Sequence, residues 1–299
     1  MHVFVTGASG WIGSAVTAEL LAAGHQVTGL ARSEESAAAV SAAGASVHRG
    51  SLDDLDSLRA GARAADAVIH LGFKHDFSDM PGAWRTERAV VETFLSTLEG
   101  SDRPFLLASG VAGLTPGRAV TERDPNPSHG PDSMRGGAEN LALEHADRGV
   151  RSVSVRFAPT VHGQGDHGFV ATLAGVARST GVSGYVGDGS ARWPAVHRLD
   201  AAHVVRLALE GAPAGSVVHA VAEEGVPTRE IAEALGRGLG LPTQSIAARD
   251  VDGHFGWIGR FFALDIPASS GLTRELLGWA PTRPTLLADL DAGFYTDPV

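Results

Sequence analysis

Cysteine is missing from all 299 residues, which excludes disulfides, thiolate metal sites and a cysteine nucleophile. Lysine is nearly missing too: Lys74 is the only one, and arginine carries the remaining positive charge. Tyrosine occurs twice, at Tyr185 and Tyr295. Arginine does not replace lysine where a movable proton or a compact point charge is needed, so the scarcity limits the available chemistry. Positive charge as a whole is in deficit. The net charge is -10 and no Lys/Arg-rich run appears, which argues against a general nucleic-acid binder. No uninterrupted apolar segment approaches the ~18 residues of a spanning helix. The first residues read as a strand rather than as a secretion signal. With 43% hydrophobic residues, the chain is expected to be cytoplasmic and to bury a large core, as one domain or a domain plus a lobe.

What is present is concentrated at the start. A short apolar run, His2-Val3-Phe4-Val5, leads into Thr6-Gly7-Ala8-Ser9-Gly10-Trp11-Ile12-Gly13, and an Ala-rich helical segment follows from Ser14 to Ala23. Gly7 permits the sharp turn, Gly10 lets backbone approach a pyrophosphate, and Gly13 lets the helix pack closely on the strand. The helix's unpaired amides and positive dipole end then face the phosphates. Three glycines alone often mark an ordinary turn. Here a strand precedes them, a helix follows, and a second strand (Gln26 to Leu30) comes at βαβ distance, so dinucleotide binding is the favoured reading.

Strands and helices then alternate. Helical patterns cover Glu34–Ala43, Leu55–Ala60, Trp84–Leu98 and Ser133–Arg148, the last with Met134, Ala138, Leu141 and Ala142 on one face. Strand patterns cover Ser46–His48, Asp66–His70, Phe105–Ala108 and Arg151–Phe157. The alternation predicts an α/β fold with a doubly wound parallel sheet. Beyond Pro159 the rhythm breaks into a Gly- and His-rich loop (His162 to Gly168), a helix near Val170–Ser179 and a Gly-rich stretch. One more α/β pair follows (Ala201–Glu210, Val217–Ala220), then helices near Thr228–Leu239 and Val251–Phe262. The dinucleotide-binding core is expected over 1–160, completed by about 195–220, with a smaller substrate lobe from 161–194 and 221–299.

In order and spacing these pieces resemble the extended short-chain dehydrogenase/reductase family of sugar-nucleotide epimerases, dehydratases and carbonyl reductases. The resemblance runs nearly end to end. It rests on Thr6-Gly7-x-x-Gly10-x-x-Gly13, Asp66-Ala-Val-Ile-His-Leu-Gly72, Leu106-Leu-Ala-Ser109-Gly-Val and Arg156-Phe-Ala-Pro-Thr160-Val-His-Gly163. Arg192-Trp-Pro-Ala-Val-His-Arg-Leu-Asp-Ala-Ala202 and Leu277-Gly-Trp-x-Pro281 complete it. It implies a seven-stranded Rossmann sheet with a C-terminal lobe over the strand ends. It also implies cofactor contacts at Thr6, Gly7, Ser9, Gly10, Trp11 and Ile12, at Leu52 and Asp53 beside the adenine, at Leu71, Gly72 and Phe73, and at Arg135, Pro159 and Thr160. NAD binders commonly end the second strand with an acid for the ribose 2′-hydroxyl. Here the strand ends Leu30-Ala31-Arg32-Ser33. A guanidinium and a hydroxyl suit a 2′-phosphate, so Arg32 and Ser33 favour NADP(H) over their other reading as solvated loop residues.

The family's chemistry uses a Ser/Thr and a Tyr-x-x-x-Lys pair, whose spacing puts phenol and ammonium on one helix face. The phenol passes the proton and the ammonium lowers its pKa. Ser109 ends its strand as the family serine does; the other reading is a strand-end cap. The pair is absent. With Ala138-Glu139 aligned to the family's Ala-Glu, the tyrosine slot is Pro131 and the lysine slot is Arg135. Three substitutes come into view: the loop of His162, Asp166 and His167, expected to border the nicotinamide; His75 with Asp76 after the fourth strand; and Tyr185 in the Gly-rich insertion. Histidine can donate a proton near neutral pH, though structural roles are commoner for any one histidine. The loop spacing of His162 and His167 is not that of a metal pair, so no metal is expected.

The resulting expectation is an NADPH-dependent reductase of a small or medium apolar or aromatic carbonyl compound. Ser109, His162 and His167 are the catalytic candidates, and His75, Tyr185 and Trp193 line the substrate. Its partner is a small molecule, with a homodimer allowed and neither nucleic acid nor membrane expected. Two other readings stay open: a redox-inactive dinucleotide sensor or scaffold, and an epimerase or lyase with a tightly held cofactor. Fold alone does not choose among them.

Overall fold

The computed structural model describes residues 1–75, 79–115 and 117–296; Asp76 lies outside them. The first half alternates as β1 (His2–Thr6), α1 (Trp11–Ala22), β2 (Gln26–Ala31), α2 (Glu34–Ala42), β3 (Ser46–Arg49), α3 (Leu55–Arg63), β4 (Ala67–His70), α4 (Met80–Leu98), β5 (Pro104–Gly110), α5 (Ala138–Glu144) and β6 (Arg151–Phe157). Then come β7 (Thr160–His162), α6 (Phe169–Thr180), β8 (Ser183–Val186), β9 (Arg192–His197), α7 (Arg198–Gly211), β10 (Ser216–Ala220), β11 (Glu223–Pro227) and α8 (Thr228–Leu239). The chain closes with β12 (Thr243–Ile246), α9 (Val251–Phe255), α10 (Gly259–Phe262), α11 (Gly271–Leu277) and α12 (Leu286–Asp291).

Seven strands form one parallel sheet in the order β10-β6-β5-β4-β1-β2-β3. This is the expected Rossmann-type doubly wound fold. Its central strands β1, β4 and β5 are largely apolar and buried because helices cover both faces. Val3 and Val5 of β1, Ile69 of β4 and Leu106 of β5 join one core with Val16 and Leu20 of α1 and Val204 and Val205 of α7. Phe4, Val68, Phe105 and Leu107 point the other way, against Leu58 of α3 and Val91, Phe94 and Leu95 of α4. A three-stranded sheet (β11-β9-β7) and a two-stranded one (β12-β8) follow. They carry a separate apolar cluster with α6, α8 and the segment from Val251 to Phe262. That segment is not one helix, because Gly256 sits at φ +62 between α9 and α10. Among the described residues no helix is long and apolar enough to cross a membrane.

Parallel strands bring their C-terminal ends to one edge, and the order reverses between β4 and β1, where open α/β sheets form their ligand crevice. The crevice is fixed by backbone meeting backbone. A methyl group on Gly13 would stand 1.9 Å from the Gly7 carbonyl oxygen. Gly13→Ala should therefore cost about 1–3 kcal/mol through forced backbone displacement. Gly175, exposed within α6 with open space around it, offers the contrast: Gly175→Ala should gain about 0.5–1 kcal/mol from helix propensity. Denaturant midpoints of the two variants check both, and a Gly13→Ala protein as stable as the parent would refute the close approach.

Candidate functional site

The ends of β1 and β4 lie back to back. Gly7 turns at φ +70, and a side chain there would strike the Gly72 amide at 2.8 Å. Thr6 is buried, and its Oγ1 accepts the Gly72 amide at 3.1 Å. Beyond the turn, α1 begins at Trp11 with Gly10 as its cap; no side chain caps it and no acid occupies its first turn. The next three helices differ. Ser33, Asp54 and Asp79 each accept an amide at the start of α2, α3 and α4. The first amides of α1 thus have no side-chain acceptor of their own, in a glycine cradle at the switch point. That cradle fits a dinucleotide pyrophosphate. Leu52 and Asp53 follow β3, Leu71 and Phe73 follow β4, and Pro159 and Thr160 follow β6, so all stand at this edge. Lys74, the lone lysine, is 2.5 Å from Asp53 Oδ1, tying the loops after β3 and β4 together.

Two arginines stand near the C-terminal ends of β2 and β3. Arg32 is exposed and has no ion-pair or hydrogen-bond partner among the described residues. Arg49 ends β3 and donates to the Ser33 carbonyl at 3.1 Å and to Glu34 at 2.6 Å. The Ser33 hydroxyl caps α2 in a reciprocal box with Ser36. Sequence reading missed Arg49, although its place as the last residue of the third strand was a usable signal. It missed Arg198 as well. The Arg198 guanidinium lies 4.3 Å over the Trp11 ring, half-buried, with its pKa lowered by that burial.

The lysine slot departs most from expectation. Instead of one helix over 133–148, a tight turn runs through Met134–Gly137, and Arg135, Gly136 and Gly137 are all left-handed at φ 52, 61 and 64. Glycine tolerates this at little cost and arginine does not. At Gly136 the backbone is closely packed: a Cβ there would be 2.8 Å from the Trp84 carbonyl, and Arg88 donates to the Gly136 carbonyl at 2.8 Å. Met134 is exposed rather than on a buried helix face. The turn puts the Arg135 guanidinium 4.6 Å over the Phe73 ring. His75 meets that ring edge-on at 5.3 Å. Burial lowers the His75 pKa, the Arg135 and His167 charges lower it further, and the Phe73 backbone and Glu87 oppose them. His167 is exposed and meets Trp11 at 5.7 Å. Phe73, Arg135, His75 and His167 therefore share one cleft above the glycine turn.

Other expected site residues are elsewhere. Ser109 shares the β5 face of Phe105 and Leu107 and is turned inward, under α5. Its hydroxyl donates to Glu139 Oε2 at 2.5 Å, while Glu139 also takes Asn126 and the buried Arg156. A serine has one proton, so this one is not aimed at a substrate oxygen. His162 is fully buried, with Nδ1 donating to Asp289 at 2.6 Å and Nε2 without a hydrogen-bond partner among the described residues. It stays neutral, its pKa pushed down to about 4 by burial, and cannot reach a substrate in the cleft. Trp193 is likewise fully buried, because β9 is paired on both edges and its ring packs on Phe169, Phe261 and Phe262. Asp166 is buried and accepts the Tyr295 hydroxyl at 2.8 Å. Tyr185 stands on β8 with Arg229 over its ring at 5.6 Å, within the lobe.

A histidine whose folded pKa lies below its unfolded value of 6.5 adds stability above that pH, and the stability is lost as pH falls toward about 4. Urea titrations across that window should show a shallower loss in His162→Gln than in the parent; equal slopes would mean that His162 is not the group responsible.

A model of the NAD dependent epimerase/dehydratase family matches residues 3–221. An uncharacterized protein of Schizosaccharomyces pombe is 46% identical over 296 residues, 99% of this chain and 100% of that one. A 2-alkyl-3-oxoalkanoate reductase of Stenotrophomonas maltophilia is 29% identical over 266 residues, 81% of this chain and 77% of that one. Pal from Bacillus thuringiensis superposes with a TM-score of 0.77 at 18% identity, covering 99% and 98% of the two chains, a likeness of fold. The glycine cradle, the sheet order and these matches together place the chain in the NAD-dependent epimerase/dehydratase family, enzymes of the extended short-chain dehydrogenase/reductase type with NAD(P)-dependent oxidoreductase or epimerase activity.

Proposed function

We propose that the protein is an NADP(H)-dependent reductase of a small or medium apolar or aromatic carbonyl compound, with His75 delivering the proton in place of the missing tyrosine. The observation that carries it is the Phe73 ring held between Arg135 and His75, a cation and a proton donor on one apolar platform. When bound, the dinucleotide supplies the hydride. Phe73, the exposed Met134 next to Arg135, and Trp257 against Phe169 at 6.0 Å offer apolar side chains suited to an aromatic or alkyl substrate. Arg135 offers a fixed positive charge where negative charge develops on a carbonyl oxygen. The 2-alkyl-3-oxoalkanoate named for the Stenotrophomonas relative, a ketone bearing alkyl chains, is in keeping with this class.

For the cofactor, the support is the exposed Arg32 just after β2, where Ala31 stands in the slot that NAD binders commonly fill with an acid. NADPH should bind more tightly than NADH, and Arg32→Ala should remove most of that preference, with Arg49→Ala contributing. Equal affinities in the parent, measured by titration, would end the NADP(H) assignment. For the reaction, consumption of NADPH against aromatic aldehydes and ketones is the direct assay. His75→Asn should slow turnover by about 10²-fold or more. Because the His75 pKa is lowered, the acid form prevails only below 6.5, so the rate should rise as pH falls through that region. A parent-like profile in His75→Asn would rule this donor out. One observation favours a second reading: Ser109 faces inward and no tyrosine is in the cleft, as a redox-inactive dinucleotide sensor would tolerate. Tight NADPH binding with no turnover on any carbonyl would select it.

A further inference from the structure

Beneath the cleft lies a chain of buried polar groups that the proposed reaction does not use. Glu87, in the middle of α4, is 2% exposed, and His70 and Thr6 are as deeply buried. Glu87 Oε1 accepts from Arg135 Nη2 at 2.8 Å, and Oε2 lies 3.2 Å from His70 Nε2. His70 Nδ1 is 2.6 Å from Thr6 Oγ1, which also takes the Gly72 amide. One arrangement of protons satisfies every atom: Gly72 N–H donates to Thr6, the Thr6 hydroxyl to Nδ1, and Nε2–H to Glu87. The carboxylate is thereby anchored to the backbone of the glycine turn at one end and to the cleft's guanidinium at the other. Burial alone would raise the Glu87 pKa, but Arg135 and then His70 hold it at about 2.

We propose that Glu87 is a positioning residue, which holds Arg135 left-handed over Phe73 so that its charge faces His75. The energetics suit that role. A left-handed backbone is strained for a non-glycine residue such as Arg135. The charge-assisted hydrogen bond from Arg135 to the buried Glu87 carboxylate opposes that strain. The inference deepens the reading of the Phe73–Arg135–His75 cleft as the reacting site. It needs no turnover to be tested, so the reductase assignment and this one can fail separately.

Among the described residues, the groups whose charges reach His75 are Arg135 before α5, Glu87 of α4 and His167 before α6, and the opposite signs of Arg135 and Glu87 set up the test. Arg135 lowers the His75 pKa and Glu87 raises it. If Glu87 were only a charge, Glu87→Gln would move His75 down and Glu87→Asp, which keeps the charge, would leave it in place. If Glu87 positions Arg135, both variants release the cation from Phe73, and His75 moves up toward ~6.5, as it must in Arg135→Gln. The measurement is the imidazole titration of His75 by NMR in the cofactor-free protein, with the parent, Glu87→Asp, Glu87→Gln and Arg135→Gln side by side. Thermal transitions identify which variants are folded, and Glu87→Asp is the variant retained if Glu87→Gln does not fold. An unmoved or lowered His75 in folded Glu87→Asp, or an unmoved one in Arg135→Gln, overturns the proposal.

Discussion

Backbone packed on backbone at the Gly7–Gly13–Gly72 junction is the constraint on which the rest of the molecule depends. The end of β1 can meet the end of β4 and the start of α1 only because no Cβ intervenes. The same contact leaves the first amides of α1 facing the crevice without a side-chain cap. The neighbouring helices each spend a side chain on that task. Glycine backbone around an uncapped helix start can admit an anion, and the switch point of the sheet puts it where a dinucleotide lies across two strands.

Around this junction two buried carboxylates each have an arginine partner. Glu139 meets Arg156, Ser109 and Asn126 under β5. Glu87 meets Arg135 and His70 under the cleft. Such pairs contribute little net stability, but removing one partner strands the other, so they hold geometry more than they add energy. The first pair turns Ser109 away from the cleft, and the second turns Arg135 toward it. The family's tyrosine and lysine are absent from their slots, Ser109 is turned inward, and the groups in the cleft are a guanidinium, an imidazole and an aromatic ring.

Much of this was legible in the residues themselves. The glycine spacing after His2–Thr6, the alternation of buried strands and amphipathic helices, and the missing Tyr-x-x-x-Lys pair are local or compositional facts, and they fix the fold class and the departure from the family's chemistry. Arg32 at the end of β2 was readable for the same reason, since a strand end is a position in sequence. His162, Trp193 and Ser109 were misplaced because a loop or strand residue can point to either face, and only the packed neighbours decide which. Ser109 lies on the face of Phe105 and Leu107, and β9 is covered on both sides around Trp193.

The sequence by itself determined the sheet, the dinucleotide cradle and the absence of the usual proton relay, because each depends on residues a few positions apart or on residues not present at all. Only the tertiary structure decided what stands in the cleft. Thr6, His70, Glu87 and Arg135 are separated by 64, 17 and 48 positions, and no period or motif links them. They meet because β1 pairs with β4, α4 packs across that face, and a left-handed turn before α5 carries Arg135 back over Phe73. Side-chain chemistry is written in the sequence, but the direction in which a side chain points is set by what the rest of the chain packs against it.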